Sequence, residues 1–385
     1  MILGIPKEIM ADESRVAAIP ETVVKYVQKG FKVLVESGAG SGIFIDDEEY
    51  KKAGAEIIAD VEDLFQRADV ILKVKQPEFN DKVQKHEIDM LRKDSFLITF
   101  LHPAAPASRQ NVLMLEEKGV TALTMDGIPR TSRAQRMDAL TSMSTVTGYR
   151  AVLMAAMALP KFIPMIGTAI GVIKPATFMI LGCGVVGLQA AATAKRLGAV
   201  VQVVDIRTDA QKEAESVGAK IVGFDVPEEI AKGPGGYAKA LPTEWLEKER
   251  QALHPLVSAA DAIVLSALVP GETAPILITK EMISVMKPGS VIIDVSIDQG
   301  GNCAATEPGK EIVVNNVRVS GLQNIPGRMA SHSAWMYSHN MFYFVENAFK
   351  DGKKLDLNDD IVQSTLTCRD GKCLHNGTLK ALGRA

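Results

Sequence analysis

The chain has 385 residues, 47% hydrophobic and 23% charged, with a formal net charge of -3. That length exceeds one hydrophobic core, so two domains are expected, and the lack of a basic excess argues against nucleic acid as a partner. Four cysteines (Cys183, Cys303, Cys368 and Cys373) are too few for a disulfide framework and suit a reducing compartment.

The opening Met1-Ile-Leu-Gly-Ile-Pro-Lys7 has no basic segment leading into an apolar run, so it reads as a first strand rather than a signal peptide. Short apolar runs follow at Lys32–Glu36, Val70–Val74 and Phe96–Phe100, each expected as a buried parallel strand. Between them, Pro20–Gln28, Asp47–Ala53 and Val61–Arg67 carry helical periodicity. This alternation predicts a doubly wound α/β domain. A long Ala-, Met- and Leu-rich helix is expected over Ser132–Met157, stopping at Leu159-Pro160. The apolar run Phe162–Ile173 is too short for a membrane span, which takes roughly twenty residues. A second α/β unit follows, with strands expected at Thr177–Leu181, Val200–Val204, Ala262–Ser266 and Ser290–Asp294. Beyond Pro326 another long helix should run to about Phe349.

Two long helices bracketing the second unit predict a discontinuous first domain, residues 1–135 with 325–385, around a second spanning 136–324. The expected architecture is two doubly wound, Rossmann-like parallel-sheet domains linked by these helices, with a cleft between them. The segment Lys232-Gly-Pro-Gly-Gly-Tyr-Ala-Lys239 suits neither helix nor strand and is the best candidate for a mobile loop.

The sharpest motif is Gly182-Cys183-Gly184-Val185-Val186-Gly187, lying directly after the strand ending at Leu181 and before a helix expected over Leu188–Leu197. Gly182 permits the tight turn, Gly184 lets backbone approach a pyrophosphate, and Gly187 lets helix and strand pack closely. The helix N-terminus favours the anionic diphosphate. The next strand ends at Asp205, where a carboxylate can accept both adenosine ribose hydroxyls and repel a 2′-phosphate. NAD(H) is therefore expected over NADP(H), with Arg207 nearby as the one feature pulling the other way. The first domain has no comparable glycine turn.

Taken with Gly4-Ile-Pro-Lys-Glu8, Glu36-Ser-Gly-Ala-Gly40, Lys73-Val-Lys75, Ala267-Leu-Val-Pro-Gly271, Met286-Lys-Pro-Gly-Ser-Val291 and Gly300-Gly-Asn-Cys303, the whole chain resembles one family. It holds alanine dehydrogenase and the NAD(H)-binding alpha subunit (domain I) of proton-translocating NAD(P) transhydrogenase. Other motifs are similar to the transhydrogenase branch: Pro129-Arg-Thr-Ser-Arg-Ala-Gln-Arg-Met-Asp138, Gly148-Tyr-Arg-Ala151, the Gly235–Lys239 loop and Cys368-Arg-Asp-Gly371. The resemblance implies that Arg130, Gln135 and Asp138, with Thr141 where serine is usual, position the nicotinamide. It further implies Gly182, Gly184, Val185, Gly187, Asp205, Ile206, Arg207, Gly236, Tyr237 and Leu268 as NAD(H) contacts, Tyr237 closing the mobile loop. A homodimer is implied, as are a partner subunit carrying NADP(H) and membrane-embedded proton-translocating subunits. The expected place is cytoplasmic, peripheral on the inner membrane through those partners.

Direct hydride transfer between two nicotinamides needs two rings held close, oriented and dry rather than an acid or base. Yet the resemblance also carries over the alanine dehydrogenase set: Arg15 and Lys75 for a substrate carboxylate, His102 as acid/base, and Asp298. The residues admit plainer roles. His102 can be a loop hydrogen-bonder, Arg15 and Lys75 salt-bridge residues, Asp298 a partner for the turn at Gln299–Gly301, and Asp138 a first-turn dipole partner three positions from Gln135 on a starting helix. Cys368, Cys373 and His375 lack a zinc spacing, so no metal is expected. Met154, Met157 and Met165 are expected to pack in an interdomain or subunit interface. Three functions stay open: transhydrogenase subunit, alanine dehydrogenase, and a non-catalytic NAD(H)-binding module.

Overall fold

A computed structural model of the chain describes residues 1–233, 236–269, 272–350 and 354–384. The chain divides into two compact units, Met1–Met143 with Pro326–Ala385, and Ser144–Ile325.

In the first unit, strands Ile2–Ile5, Lys32–Glu36, Glu56–Ile58, Val70–Leu72, Phe96–Thr99 and Thr121–Thr124 run parallel. Their spatial order is third, second, first, fourth, fifth, sixth, the doubly wound arrangement. These runs are short and apolar because helices cover both faces, leaving Leu3, Ile5, Ile71, Leu72 and Ile98 fully buried. The order reverses between Ile2–Ile5 and Val70–Leu72, so Pro6–Arg15 and Lys73–Lys75 leave the sheet at its switch point, where such folds bind ligands. The C-terminal segment adds Leu366–Arg369, antiparallel to Thr121–Thr124, and Lys372–Cys373 at the sheet edge. The sequence pattern gives no sign of this hairpin, since its strands are too short to show periodicity.

The second unit repeats the same order with Thr177–Leu181, Val200–Val204, Lys220–Ile221, Ala262–Leu265, Val291–Asp294 and Val317–Ser320, all parallel. Glu311–Val314 closes one edge antiparallel to Val317–Ser320. Both sheets are thus parallel with antiparallel additions at an edge.

Three expectations need correction. The first long helix starts at Ala139, not Ser132, and runs to Ala158. The residues before it form a chain of turns, including the short 3-10 turn Gln135–Met137, so Gln135 is not on the helix. The dinucleotide helix begins at Val185, inside the glycine motif, rather than at Leu188. The run Phe162–Ile173 contains a hairpin, Ile166–Thr168 paired with Gly171–Ile173, which its apolar composition masked. The second long helix spans Ala330–Ala348, after the 3-10 turn Ile325–Met329. No helix among the described residues is long and apolar enough to cross a membrane.

Candidate nucleotide site

The second unit carries the glycine turn at the C-terminal end of Thr177–Leu181. Gly182 has φ +84, and a Cβ there would lie 2.7 Å from the Ala267 backbone. A Cβ on Gly187 would lie 1.9 Å from the Gly182 carbonyl, so helix and turn meet without room for a side chain. Gly184 differs: a Cβ there would meet nothing within 4 Å. Its missing side chain serves no internal packing and leaves space beside the helix N-terminus, which fits a bound diphosphate.

Asp205 directly follows the neighbouring strand Val200–Val204 and is buried. Its Oδ2 accepts the Cys183 amide at 2.6 Å, tying the turn to the next strand. Oδ1 accepts the Arg207 amide at 2.8 Å, and the Arg207 guanidinium bonds both oxygens. Arg207 is therefore engaged by Asp205, which bears on nucleotide choice: its charge is already partnered rather than held out for a 2′-phosphate. Ile206 follows half-buried.

Asn302 shapes the opposite wall. Its side chain accepts the Ala267 amide at 3.0 Å and donates to the carbonyls of Ala267 and Pro275 at 2.9 and 2.8 Å. This fixes Ala267 against Gly182 and places Leu268, 37% exposed, just beyond it. Asp294, fully buried, accepts the amides of Ser296, Asn302 and Cys303 and the hydroxyls of Ser296 and Thr306. Asp294 thus ties down the residues on either side of the Gln299–Gly301 turn, whereas Asp298 is exposed and accepts Gln323 Nε2 at 2.6 Å. The Gly300–Cys303 motif marks this turn in the sequence, but nothing in its pattern reveals the roles of Asn302 and Asp294. In the glycine-rich loop, Gly236 has φ +79 and the Tyr237 carbonyl accepts the Gly233 amide at 2.8 Å. Pro234 and Gly235 of that loop, and Pro270 and Gly271 of the Ala267–Gly271 motif, lie outside the described residues.

The first unit carries the Arg130–Thr141 segment. Asp138 precedes the helix and caps it, accepting the Thr141 amide at 2.8 Å and hydroxyl at 2.7 Å. Asp138 therefore acts on the helix as a side-chain cap from outside it, not as a first-turn residue. Ala134 and Met137 anchor the segment in the core, leaving Arg130 and Gln135 exposed. Groups the sequence did not single out hold it down. Arg133 pairs with Asp359 at 2.6 Å, Arg136 stacks 3.5 Å over Tyr343, and Asn340 donates to the Arg136 carbonyl at 2.9 Å. Burial would raise the Asp359 carboxyl, but hydrogen bonds from Arg133 and Asn347 hold it well below the usual range.

Arg15, Lys75 and His102 all lie past C-terminal strand ends of the first unit, whereas Asp298 belongs to the second. Arg15 is buried and paired with Glu13 through Nε at 2.8 Å and Nη2 at 2.5 Å. Lys75 is half-buried next to Lys73, which is fully buried between Glu8 at 3.3 Å and Glu87 at 2.8 Å. Burial moves Glu8 up to about 7 even with Lys73 opposing. His102 sits at φ +46, a left-handed backbone uncommon outside glycine, and stacks on Phe100 with centroids 5.6 Å apart. Its Nδ1 lies 2.6 Å from Asp126 Oδ1, and its amide donates to Oδ2. Burial would raise Asp126, but the charge and hydrogen bond of His102 pull it below its ordinary value.

Residues 4–147 match the family model "Alanine dehydrogenase/PNT, N-terminal domain", and residues 151–376 match its C-terminal counterpart. A Rhodospirillum rubrum chain, named as the first piece of an NAD(P) transhydrogenase subunit alpha, is 40% identical over 379 residues, covering 97% of this chain and 98% of that one. The crystal structure of transhydrogenase from Sinorhizobium meliloti is similar with a TM-score of 0.86 and 35% identity, covering 97% of this chain and 100% of that one. An L-alanine dehydrogenase structure gives a TM-score of 0.83 at 28% identity, covering 100% of this chain and 99% of that one. With both halves matched to its domain models, the chain belongs to the alanine dehydrogenase/PNT family.

Proposed function

We propose that the chain is the NAD(H)-binding subunit of a proton-translocating NAD(P) transhydrogenase. The observation that carries this reading is its end-to-end likeness to the Rhodospirillum rubrum transhydrogenase alpha chain. The glycine turn tied to Asp205, with open space at Gly184, supports NAD(H) as the nucleotide.

When bound, the dihydronicotinamide supplies a hydride for NADP+ carried by a partner subunit, and partner membrane subunits couple that transfer to proton movement. The residues of this chain bind and orient. The Gly182–Gly187 turn and helix N-terminus take the diphosphate, while Asp205, Ile206 and Arg207 take the adenosine ribose. Ala267 and Leu268, held by Asn302, flank the nucleotide. Arg130, Gln135, Asp138 and Thr141 orient the nicotinamide amide, and Gly236 and Tyr237 close over the nucleotide to exclude water. None of these groups has to move a proton, which is what hydride exchange between two nicotinamides requires.

The chain acts as a homodimer in this reading. The hairpin Ile166–Thr168/Gly171–Ile173 supports it, because Ile170 is 99% and Val172 68% exposed, and a second copy would cover that apolar surface.

A second reading rests on one specific observation. The His102–Asp126 pair, on a strained backbone, orients the imidazole by Nδ1 and suits Nε2 to proton transfer, as an alanine dehydrogenase would need. Incubating the chain with L-alanine and NAD+ and following NADH absorbance separates the readings. No alanine-dependent NADH is expected; steady formation that disappears in His102→Ala would replace the first reading with the second.

A further inference from the structure

The C-terminal segment of the first unit forms a hairpin whose strands are Leu366–Arg369 and Lys372–Cys373. Its two-residue turn, Asp370-Gly371, has φ +52 and +69, the pattern of a type I′ turn. The register sets Arg369 opposite Lys372 and Cys368 opposite Cys373. In such a hairpin the residues flanking the turn exchange hydrogen bonds and the next pair outward does not. The bonds agree: the Cys373 amide goes to Glu116 Oε1 at 3.2 Å rather than across the strand, and the Leu374 amide returns to the Thr367 carbonyl at 2.8 Å.

The cysteines are therefore a non-hydrogen-bonded cross-strand pair, a type in which Cα atoms typically stand about 4.5 Å apart. That separation lies inside the range of roughly 4.4–6.8 Å spanned by disulfides. Both thiols are free and buried. Cys368 also contacts the Val112 carbonyl at 3.5 Å, fixing its rotamer against the helix Arg109–Lys118. The neighbouring His375 is occupied as a helix cap, its Nδ1 accepting the Thr378 amide at 3.1 Å.

We propose that Cys368 and Cys373 are a redox modification site that closes as a reversible cross-strand disulfide under peroxide. Cys373, 7% exposed beside the solvent-facing turn, is the entry thiol, and Cys368, fully buried, resolves it. Peroxide converts the Cys373 thiolate to a sulfenic acid with release of hydroxide. The Cys368 sulfur then attacks that sulfur, the S–S bond forms, and the oxygen leaves as water. In sum, two thiols are oxidised by two electrons and one peroxide is reduced to two waters. Burial raises both thiols above their ordinary value, so the pair reacts slowly and stays reduced without an oxidant. A thiol, small-molecule or protein-borne, reopens it. Because the hairpin is the last addition to the sheet beside Thr121–Thr124, closure staples that edge.

The sequence makes the test direct. Trypsin cuts after Arg369 and after Lys372, so Cys368 and Cys373 fall on separate peptides that only a disulfide joins. The full-length folded chain is treated with hydrogen peroxide, blocked with an alkylating agent, digested and weighed. The expected result is a joined peptide two hydrogens lighter than the sum of its parts. Free thiols counted in denaturant should fall from the four of the sequence by two, and dithiothreitol should reverse both changes. Cys373→Ser, with circular dichroism confirming its fold, should give no joined peptide. Separate peptides after peroxide, with both thiols intact or overoxidised in the folded wild-type chain, would overturn the proposal whatever the variant does.

Discussion

The Arg207 guanidinium holds the Asp205 carboxylate at two points, Nε to Oδ1 at 3.0 Å and Nη2 to Oδ2 at 2.9 Å. With the amides of Cys183 and Arg207 also donating, the roughly four lone-pair directions of that carboxylate are filled. A ribose diol reaching this carboxylate would have to exchange with one of these donors. The carboxylate is expected to set the choice between nucleotides, because its charge disfavours a 2′-phosphate. Asp205→Ser should weaken NADH binding by about tenfold or more, roughly 1.4 kcal/mol, and narrow the gap to NADPH. Calorimetric titration of both nucleotides reads this directly; an unaltered NADH-to-NADPH ratio would exclude Asp205 from nucleotide selection.

The glycine turn separates packing from ligand contact within a few residues. Gly187→Ala forces a Cβ against the Gly182 carbonyl and should cost about 1–3 kcal/mol of stability, measured by denaturant unfolding. Gly184→Ala meets no protein atom and should leave stability within about 0.5 kcal/mol while sharply weakening NADH binding. Full NADH affinity in folded Gly184→Ala would mean that the open space there is not where the diphosphate lies.

Much of this was legible in the sequence, and the misses have physical causes. The strand Ala262–Leu265 is buried on both faces, so an unbroken apolar run marked it plainly. The glycine spacing and Asp205 were visible because backbone geometry demands those residue types. Asp138 was legible as a residue but not as a cap. Helical composition continues through Ser132–Met137, while core anchors at Ala134 and Met137 and the Arg133–Asp359 pair hold those residues in turns. Arg133 and Asp359 lie 226 positions apart along the chain, beyond the reach of periodicity. Asn302 and Asp294 were hidden for a similar reason, since their work is with backbone groups of loops. The apolar Ile166–Ile173 hairpin was read only by what it excludes, a membrane span.

Stability should depend on pH through Glu249, buried on the helix Thr243–Ala259. Burial and the nearby Asp205 push its carboxyl from 4.5 up to about 7, with Arg250 opposing. The folded chain thus keeps a proton over that interval which the unfolded chain loses from about 4.5 upward. Stability from this group is present at the acid end and falls as pH rises toward 7. Glu249→Gln should flatten that part of the profile and gain stability on the order of 3 kcal/mol near pH ~8. Unfolding midpoints measured from about pH 5 to 8 decide it, and a variant whose slope equals the parent's removes Glu249 as the cause.

The exposed hairpin gives the proposed dimer a simple test. Ile170, 99% exposed, contributes nothing to the fold of its own unit, so Ile170→Glu should leave thermal stability of the monomer intact. Paired with Val172→Asp, it should shift the chain from dimer to monomer by light scattering. A dimer that survives both changes would place the subunit contact elsewhere.

The central claim is that a hydride leaves NADH on this chain for NADP+ on another. The most direct measurement supplies NADH carrying deuterium at C4 of the nicotinamide, NADP+, this chain and a purified NADP(H)-binding transhydrogenase component, and weighs the NADPH formed. Deuterated NADPH is expected only when both proteins are present, with the yield lost in Gln135→Ala or Asp138→Ala chains that still bind NADH. Unlabelled or absent NADPH from the complete mixture, beside alanine-dependent NADH formation by this chain alone, would contradict it.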